Sequence, residues 1–204
     1  MTSQQYAVVV PVKPPARGKS RLVGLDDDRR RALAAAFALD TVTACLACAQ
    51  VAEVLVVTDD AAFSAQLAAL GCTAIPDGVT GDLNASLAQA AAESSRRWPV
   101  LQPVAICADL PALVPADLTV ALSRVVPGTP CFVADADGIG TTLYTAPLGL
   151  FEPRFGVESR AAHLELDATE IEGRLPTLRR DVDDLADLDA ARALGLGRHT
   201  AALA

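Results

Sequence analysis

Short continuous apolar runs alternate along this chain with longer segments whose apolar positions recur at helical spacing. Residues 6–12 (YAVVVPV) read as a first strand buried on both faces. Residues 26–48 then read as a helix with acids at its start, where the helix dipole favours them. A second strand is expected at residues 53–58 (EVLVVT), a helix at 61–70 stopped by Gly71, and a short strand at 73–75. A helix over about 83–97 and a strand over 104–108 follow. This βαβαβαβ order predicts a parallel sheet with helices on both sides.

The pattern changes after residue 110. A helix is expected at 115–126, with proline near its start, then strands at 131–134 and 141–145 joined by the Asp-Gly of DADGIG. A glycine turn leads into a helix near Ser159. The segment LRRDVDDLADLDAARALG predicts a short strand and a final amphipathic helix. No internal repeat or linker interrupts the chain, so residues 1–204 are expected to form a single domain. About 1–110 would be a nucleotide-binding half and about 111–204 an acceptor-binding half. The fold class that follows is a three-layer α/β/α, Rossmann-like arrangement on a mixed, mostly parallel sheet.

Composition narrows the function classes. A net charge of −8 argues against a nucleic-acid or membrane-surface binder, both of which need a basic face. No apolar run approaches a membrane span, and the first residues lack a signal-peptide pattern, so a cytoplasmic protein is expected. Cys45 and Cys48 have C-x-x-C spacing but fall in a helical stretch with no second pair; they and Cys72, Cys107 and Cys131 read as buried small residues.

The chemistry gathers at strand ends. In VAICADLPAL, residues 104–113, an apolar strand stops on Asp109 just before a proline. The carboxyl edge of a parallel strand is where open α/β sheets bind ligands, and carboxylates suit Mg²⁺. A helix cap is the plainer alternative for Asp109, and it stays open here. Asp181 and Asp183 would end the last strand, able to share Mg²⁺ with Asp109 if the sheet brings the edges together. Capping explains some acids of DVDDLADLD, though not why DVD precedes them. Of the 17 basic residues only Lys13 and Lys19 are lysine, and both lie with Arg17 and Arg21 in the loop after the first strand. GKS at 18–20 lacks the earlier glycine of a Walker A loop, yet the cations suit phosphate.

His163 and His199 are the only histidines, and neither has a recognisable nucleophile beside it. Without a general base, the acceptor should need no deprotonation, and a phosphate monoester qualifies. Residues 138–142 (GIGTT) and 155–159 (FGVES) each set glycine backbone beside a hydroxyl. They are the candidate acceptor pocket, with an unliganded helix cap at Ser159 as the bland alternative.

Taken together, PVKPPARGKSRL, VLVVTDD, GDLNASLAQA, CADLPAL, DGIGTTLY, PRFG-x-x-S and DVDDLADL occur in the order found in the CofC/FbiD family, which the chain resembles over nearly its whole length. The resemblance implies a nucleotidyltransferase-type fold and guanylyl transfer from GTP to phosphoenolpyruvate or 2-phospho-L-lactate in coenzyme F-420 biosynthesis. It implies Asp109 as the main Mg²⁺ ligand, with Asp183 and then Asp181 beside it. Lys13, Lys19 and Arg21 would hold the triphosphate. Asn84 would meet the base or ribose, and Thr141, Gly156 and Ser159 the acceptor. The family often has threonine where Asp184 stands, and Val157-Glu158 also departs from its pattern. A homodimer, and handover of the product to the next enzyme, are partner arrangements this reading allows. Its rivals are a molybdopterin guanylyltransferase-like enzyme, whose glycine-rich opening loop this chain lacks, and a non-catalytic nucleotide sensor.

Overall fold

The structure is a computed structural model that describes residues 4–12, 22, 24–79 and 81–203. Seven strands form one sheet in the order β3-β2-β1-β4-β6-β5-β7. These are β1 (Tyr6–Pro11), β2 (Val51–Val57), β3 (Thr73–Ile75), β4 (Gln102–Ile106), β5 (Cys131–Ala134), β6 (Thr141–Thr145) and β7 (Thr169–Glu170). The first four are mutually parallel, β6 runs antiparallel to both β4 and β5, and β7 pairs parallel with β5.

Alternation along each strand builds the layers. Tyr6, Val8 and Val10 of β1 pack with α1 (Asp27–Leu46), α2 (Ala61–Ala68) and α4 (Pro115–Ser123). Val9 and Ala105 face the other way, onto Leu87 and Ala90 of α3 (Leu83–Arg97). Further along that face, Phe132, Ala134, Tyr144 and Ala146 form a cluster covered by Phe151 and Phe155. Aspartates set the helix starts: the side chains of Asp26, Asp60 and Asp82 accept from backbone N–H groups of α1, α2 and α3. Asp60 is therefore a cap, and Asp59 accepts from Asp77 N–H at 2.9 Å. Cys45, Cys48, Cys72 and Cys131 are buried, with the Cys45 thiol pushed up by burial.

Four expectations need correction. β4 stops at Ile106 rather than at 108, because the Thr41 hydroxyl of α1 takes up the backbone on either side of Asp109. α4 stops at Ser123, three residues short of the expected end. The strand expected in LRRDVDD is absent: Pro176 opens a short helix, α6 (Pro176–Arg179), and a proline at that position favours a helix start. The chain then reaches α7 (Leu185–Leu194), and α8 (Arg198–Ala201) follows in what reads as tail. Strand β7 instead forms earlier, where Thr169 N–H donates to Pro130 O and Ile171 N–H to Phe132 O. Among the described residues no helix is long and apolar enough to cross a membrane.

Candidate active site

The strand order reverses at β1: the chain runs outward from β1 through β2 to β3, then returns to β4 on the other edge of β1. A crevice forms at such a switch point outside the carboxyl ends of the strands. Asp109 follows β4 there. Lys13, Lys19 and Arg21, which come next in sequence after β1, lie outside the described residues.

Asp109 caps no helix. The N-cap of α4 is Val114, five residues further on, and the Asp109 side chain is half-buried. Its position is set from two sides. The buried Thr41 hydroxyl accepts from Leu110 N–H at 3.1 Å and lies 3.2 Å from Ala108 O. Opposite, Val182 N–H donates to the carbonyl of Asp109 itself at 3.0 Å. Val182 is fully buried among Leu33, Phe37, Ala112 and Leu188, and its two neighbours, Asp181 and Asp183, are half-buried. The segment carrying Asp181 and Asp183 thus meets the loop carrying Asp109 through one backbone contact instead of the expected strand pairing.

The remaining acids of that segment have structural roles. Asp184 is the N-cap of α7, accepting from Ala186 and Asp187 N–H, while Asp187 reaches back in a reciprocal capping box. Asp187 also pairs with Arg180 at 3.0 Å. Capping therefore accounts for Asp184 and Asp187, and not for Asp181 or Asp183.

Carboxylate oxygens are the donors a hard divalent cation takes. Among the described residues no group of three or more His, Cys, Asp or Glu side chains is gathered to hold a metal ion. Mg²⁺ rarely uses such an all-protein cage; one or two carboxylates with substrate phosphates suffice. Asp109 with either neighbour of Val182 fits that mode.

The acceptor candidates connect to Asp109 through β6. Cys107 N–H donates to Thr142 O at 2.9 Å, placing Thr141 beside the strand end that carries Asp109. Arg160 N–H donates to Ile139 O at 3.0 Å, which ties α5 (Ser159–Leu164) to the β5–β6 turn. The buried Ser159 opens α5, its N–H bonded to Gly156 O. Gly156 has φ +135°, open only to glycine at little cost, and Glu158 takes the left-handed conformation at φ 54°. Thr141, Gly156 and Ser159 therefore belong to one hydrogen-bonded unit.

Asn84 is bonded to the acceptor loop. Its Nδ2 donates to Phe155 O at 2.9 Å and its Oδ1 accepts from Phe155 N–H at 2.8 Å. The side chain clamps the acceptor loop to the first turn of α3. Beside this turn a cavity of about 450 Å³ opens at the ends of β2 and β3, lined by Val57, Ile75, Gly78, Ser86 and Gln89 among others.

Two polar residues escape a reading of the sequence. Thr41 sits mid-helix, where threonine ordinarily bonds its own helix; it does so with Phe37 O at 2.9 Å, and its contact to Leu110 lies far along the chain. His163 is fully buried, with Nδ1 3.0 Å from Thr141 Oγ1 and Nε2 accepting from Arg154 N–H at 3.0 Å. Burial lowers its pKa to about 4, the Arg154 charge adds to the shift, and the Ser159 carbonyl opposes it.

Comparison with known proteins bears on family and fold. A family model described as guanylyl transferase CofC like matches residues 6–174. A phosphoenolpyruvate guanylyltransferase of Thermomonospora curvata is 50% identical over 98% of this chain and 88% of its own length. A crystal structure of 4-diphosphocytidyl-2C-methyl-D-erythritol synthase superimposes with a TM-score of 0.63 at 12% identity, over 95% of this chain and 99% of that one. A Mycobacterium tuberculosis H37Rv protein solved with manganese gives a TM-score of 0.54 at 20% identity, over 93% and 98%. The two structures share the fold of this chain.

Proposed function

The chain belongs to the CofC-like guanylyl transferase family, and on that premise we propose that it joins the guanylyl group of GTP to phosphoenolpyruvate. The observation that supports this reading is the bond from Val182 N–H to the Asp109 carbonyl, which brings the segment of Asp181 and Asp183 to the loop of Asp109 at the end of β4. A phosphate oxygen of the acceptor attacks the α-phosphorus of GTP. A new P–O–P link forms, the bond to the β-phosphate breaks, and pyrophosphate departs with the electron pair. The acceptor phosphate is largely dianionic at neutral pH, so no side chain need remove a proton.

This chain contributes position and charge. Asp109, with Asp183 or Asp181, would hold Mg²⁺, which when bound neutralises the crowded phosphate oxygens. Lys13, Lys19 and Arg21 hold the triphosphate and then the leaving pyrophosphate. Thr141, Gly156 and Ser159 bind the acceptor. Asn84 fixes Phe155 and keeps one amide hydrogen and one carbonyl lone pair for the nucleotide. Residues up to about 110 thus serve the nucleotide, and those beyond serve the acceptor.

The test is incubation with GTP and Mg²⁺ and, separately, phosphoenolpyruvate, 2-phospho-L-lactate or 3-phosphoglycerate, with products identified by mass. Phosphoenolpyruvate is expected to give enolpyruvyl-diphospho-5′-guanosine and an equal amount of pyrophosphate. GTP bound without pyrophosphate release under every condition would make the chain a sensor and overturn the reading.

A further inference from the structure

We propose that His163 is a positioning residue for the acceptor, holding the Thr141 hydroxyl as a donor to an acceptor phosphate or carboxylate while pinning the loop before Ser159. The inference deepens the guanylyl-transfer reading and rests on it.

The imidazole is 0% exposed and lies between two rings, 4.7 Å from Tyr144 and 5.4 Å from Phe132, with the edge of Phe155 at 5.7 Å. Packing alone would be met by leucine or phenylalanine. The polar contacts are what those residues could not supply. Nε2 receives the Arg154 backbone N–H at 3.0 Å, and a nitrogen that receives a hydrogen bond carries no proton. In the neutral ring Nδ1 must then carry it. Nδ1 lies 3.0 Å from Thr141 Oγ1, and its N–H is shared with the Ser159 carbonyl, so Nδ1 cannot receive the Thr141 hydrogen, which the hydroxyl keeps for another partner.

Thr141 is the first residue of β6, one position from the Thr142 carbonyl that bonds the loop leading to Asp109. A hydroxyl obliged to donate suits an anion, which offers only acceptors. The same ring holds Arg154, next to the Phe155 that Asn84 clamps and two residues before Gly156. One side chain therefore links the two halves of the acceptor unit. Its surroundings keep it neutral, which preserves the arrangement.

Three variants separate the two links. In His163→Asn the amide reaches the place of Nδ1 and keeps a donor for Thr141. In His163→Gln it reaches the place of Nε2 and keeps an acceptor for Arg154. His163→Phe retains a stacked ring and neither polar contact. The phenylalanine variant is expected to raise the KM for phosphoenolpyruvate about tenfold, with the KM for GTP within about twofold, as fits one lost hydrogen bond. Asparagine should recover most of that loss and glutamine less. A space-filling role would lower Tm or the active fraction and leave the acceptor KM of all three at the wild-type value, which would overturn the proposal.

A second measurement needs no turnover. Nitrogen-15 NMR of histidine-labelled wild-type protein at pH 7, with His163 assigned by its loss in the variants, should show Nδ1 protonated. An Nε2–H tautomer would overturn the proposal. A wild-type chain that makes no guanylylated product with any acceptor defeats the guanylyl-transfer reading instead, and the tautomer still decides how Thr141 is oriented.

Discussion

The backbone N–H of Val182 donates to the carbonyl oxygen of Asp109 at 3.0 Å. This one bond joins the loop after β4 to the segment between α6 and α7, with a carboxylate on each side of Val182. Burial of the valine side chain keeps the contact from drifting. Two loops without such a bond would have to be ordered against one another at an entropic cost; here the fold fixes their backbones together.

Thr41 is expected to support turnover without touching substrate. Thr41→Val removes the hydroxyl that braces Ala108 and Leu110, and it should cost about 1–3 kcal/mol of stability for the buried groups left unsatisfied. Because Asp109 lies between the two braced residues, kcat should also fall about tenfold or more, with Thr41→Ser close to wild type. Thermal unfolding and steady-state kinetics check this. A lowered Tm with unchanged kcat would make Thr41 merely structural.

Ser159→Ala is expected to raise the KM for the acceptor about fivefold, as for a hydrogen bond worth ~1 kcal/mol, with the KM for GTP unchanged. Titration of initial rates against each substrate reads both values. A shift confined to GTP would move the acceptor pocket elsewhere.

His163 makes stability depend on pH. Its folded pKa is about 4, against 6.5 for the exposed ring, so the unfolded chain binds the proton first as pH falls. Its contribution is complete above about pH 6.5 and is lost progressively down to about pH 4, by about 3 kcal/mol in all. Denaturant titrations of wild type and His163→Asn between those limits should differ by this slope. Parallel curves would contradict the assignment.

Asp40 offers a contrast remote from the acceptor unit. Its buried carboxylate accepts from His199 N–H at 3.0 Å and Thr200 N–H at 2.8 Å, capping α8 from α1. Asp40→Ala should cost about 0.5–2 kcal/mol with kinetics unchanged at 25 °C. A large fall in kcat in fully folded protein would show α8 to be coupled to the site.

Local signals explain what the sequence makes legible. The helix Leu83–Arg97 has both ends where the pattern sets them, because Asp82 is a strong cap and the apolar spacing is continuous. The strands Cys131–Ala134 and Thr141–Thr145 are equally clear, separated by an Asp-Gly turn. The acids at 181 and 183 are legible as candidates, yet the manner of their approach to Asp109 is not. A single loop hydrogen bond leaves no periodicity, whereas an apolar alternation there imitates a strand. Asn84, Thr41 and His163 share a different difficulty. Each bonds a partner elsewhere in the chain, Phe155, Leu110 and Thr141 respectively, so nothing adjacent to them announces the role.

The central claim is that the carboxylate at 109 serves the transfer itself. Asp109→Asn keeps the side chain's size and removes its charge, so the most direct measurement is pyrophosphate release from GTP with phosphoenolpyruvate and Mg²⁺, wild type against variant. An unchanged fold by circular dichroism and turnover reduced at least about 100-fold are expected. Wild-type turnover in the folded variant would contradict it.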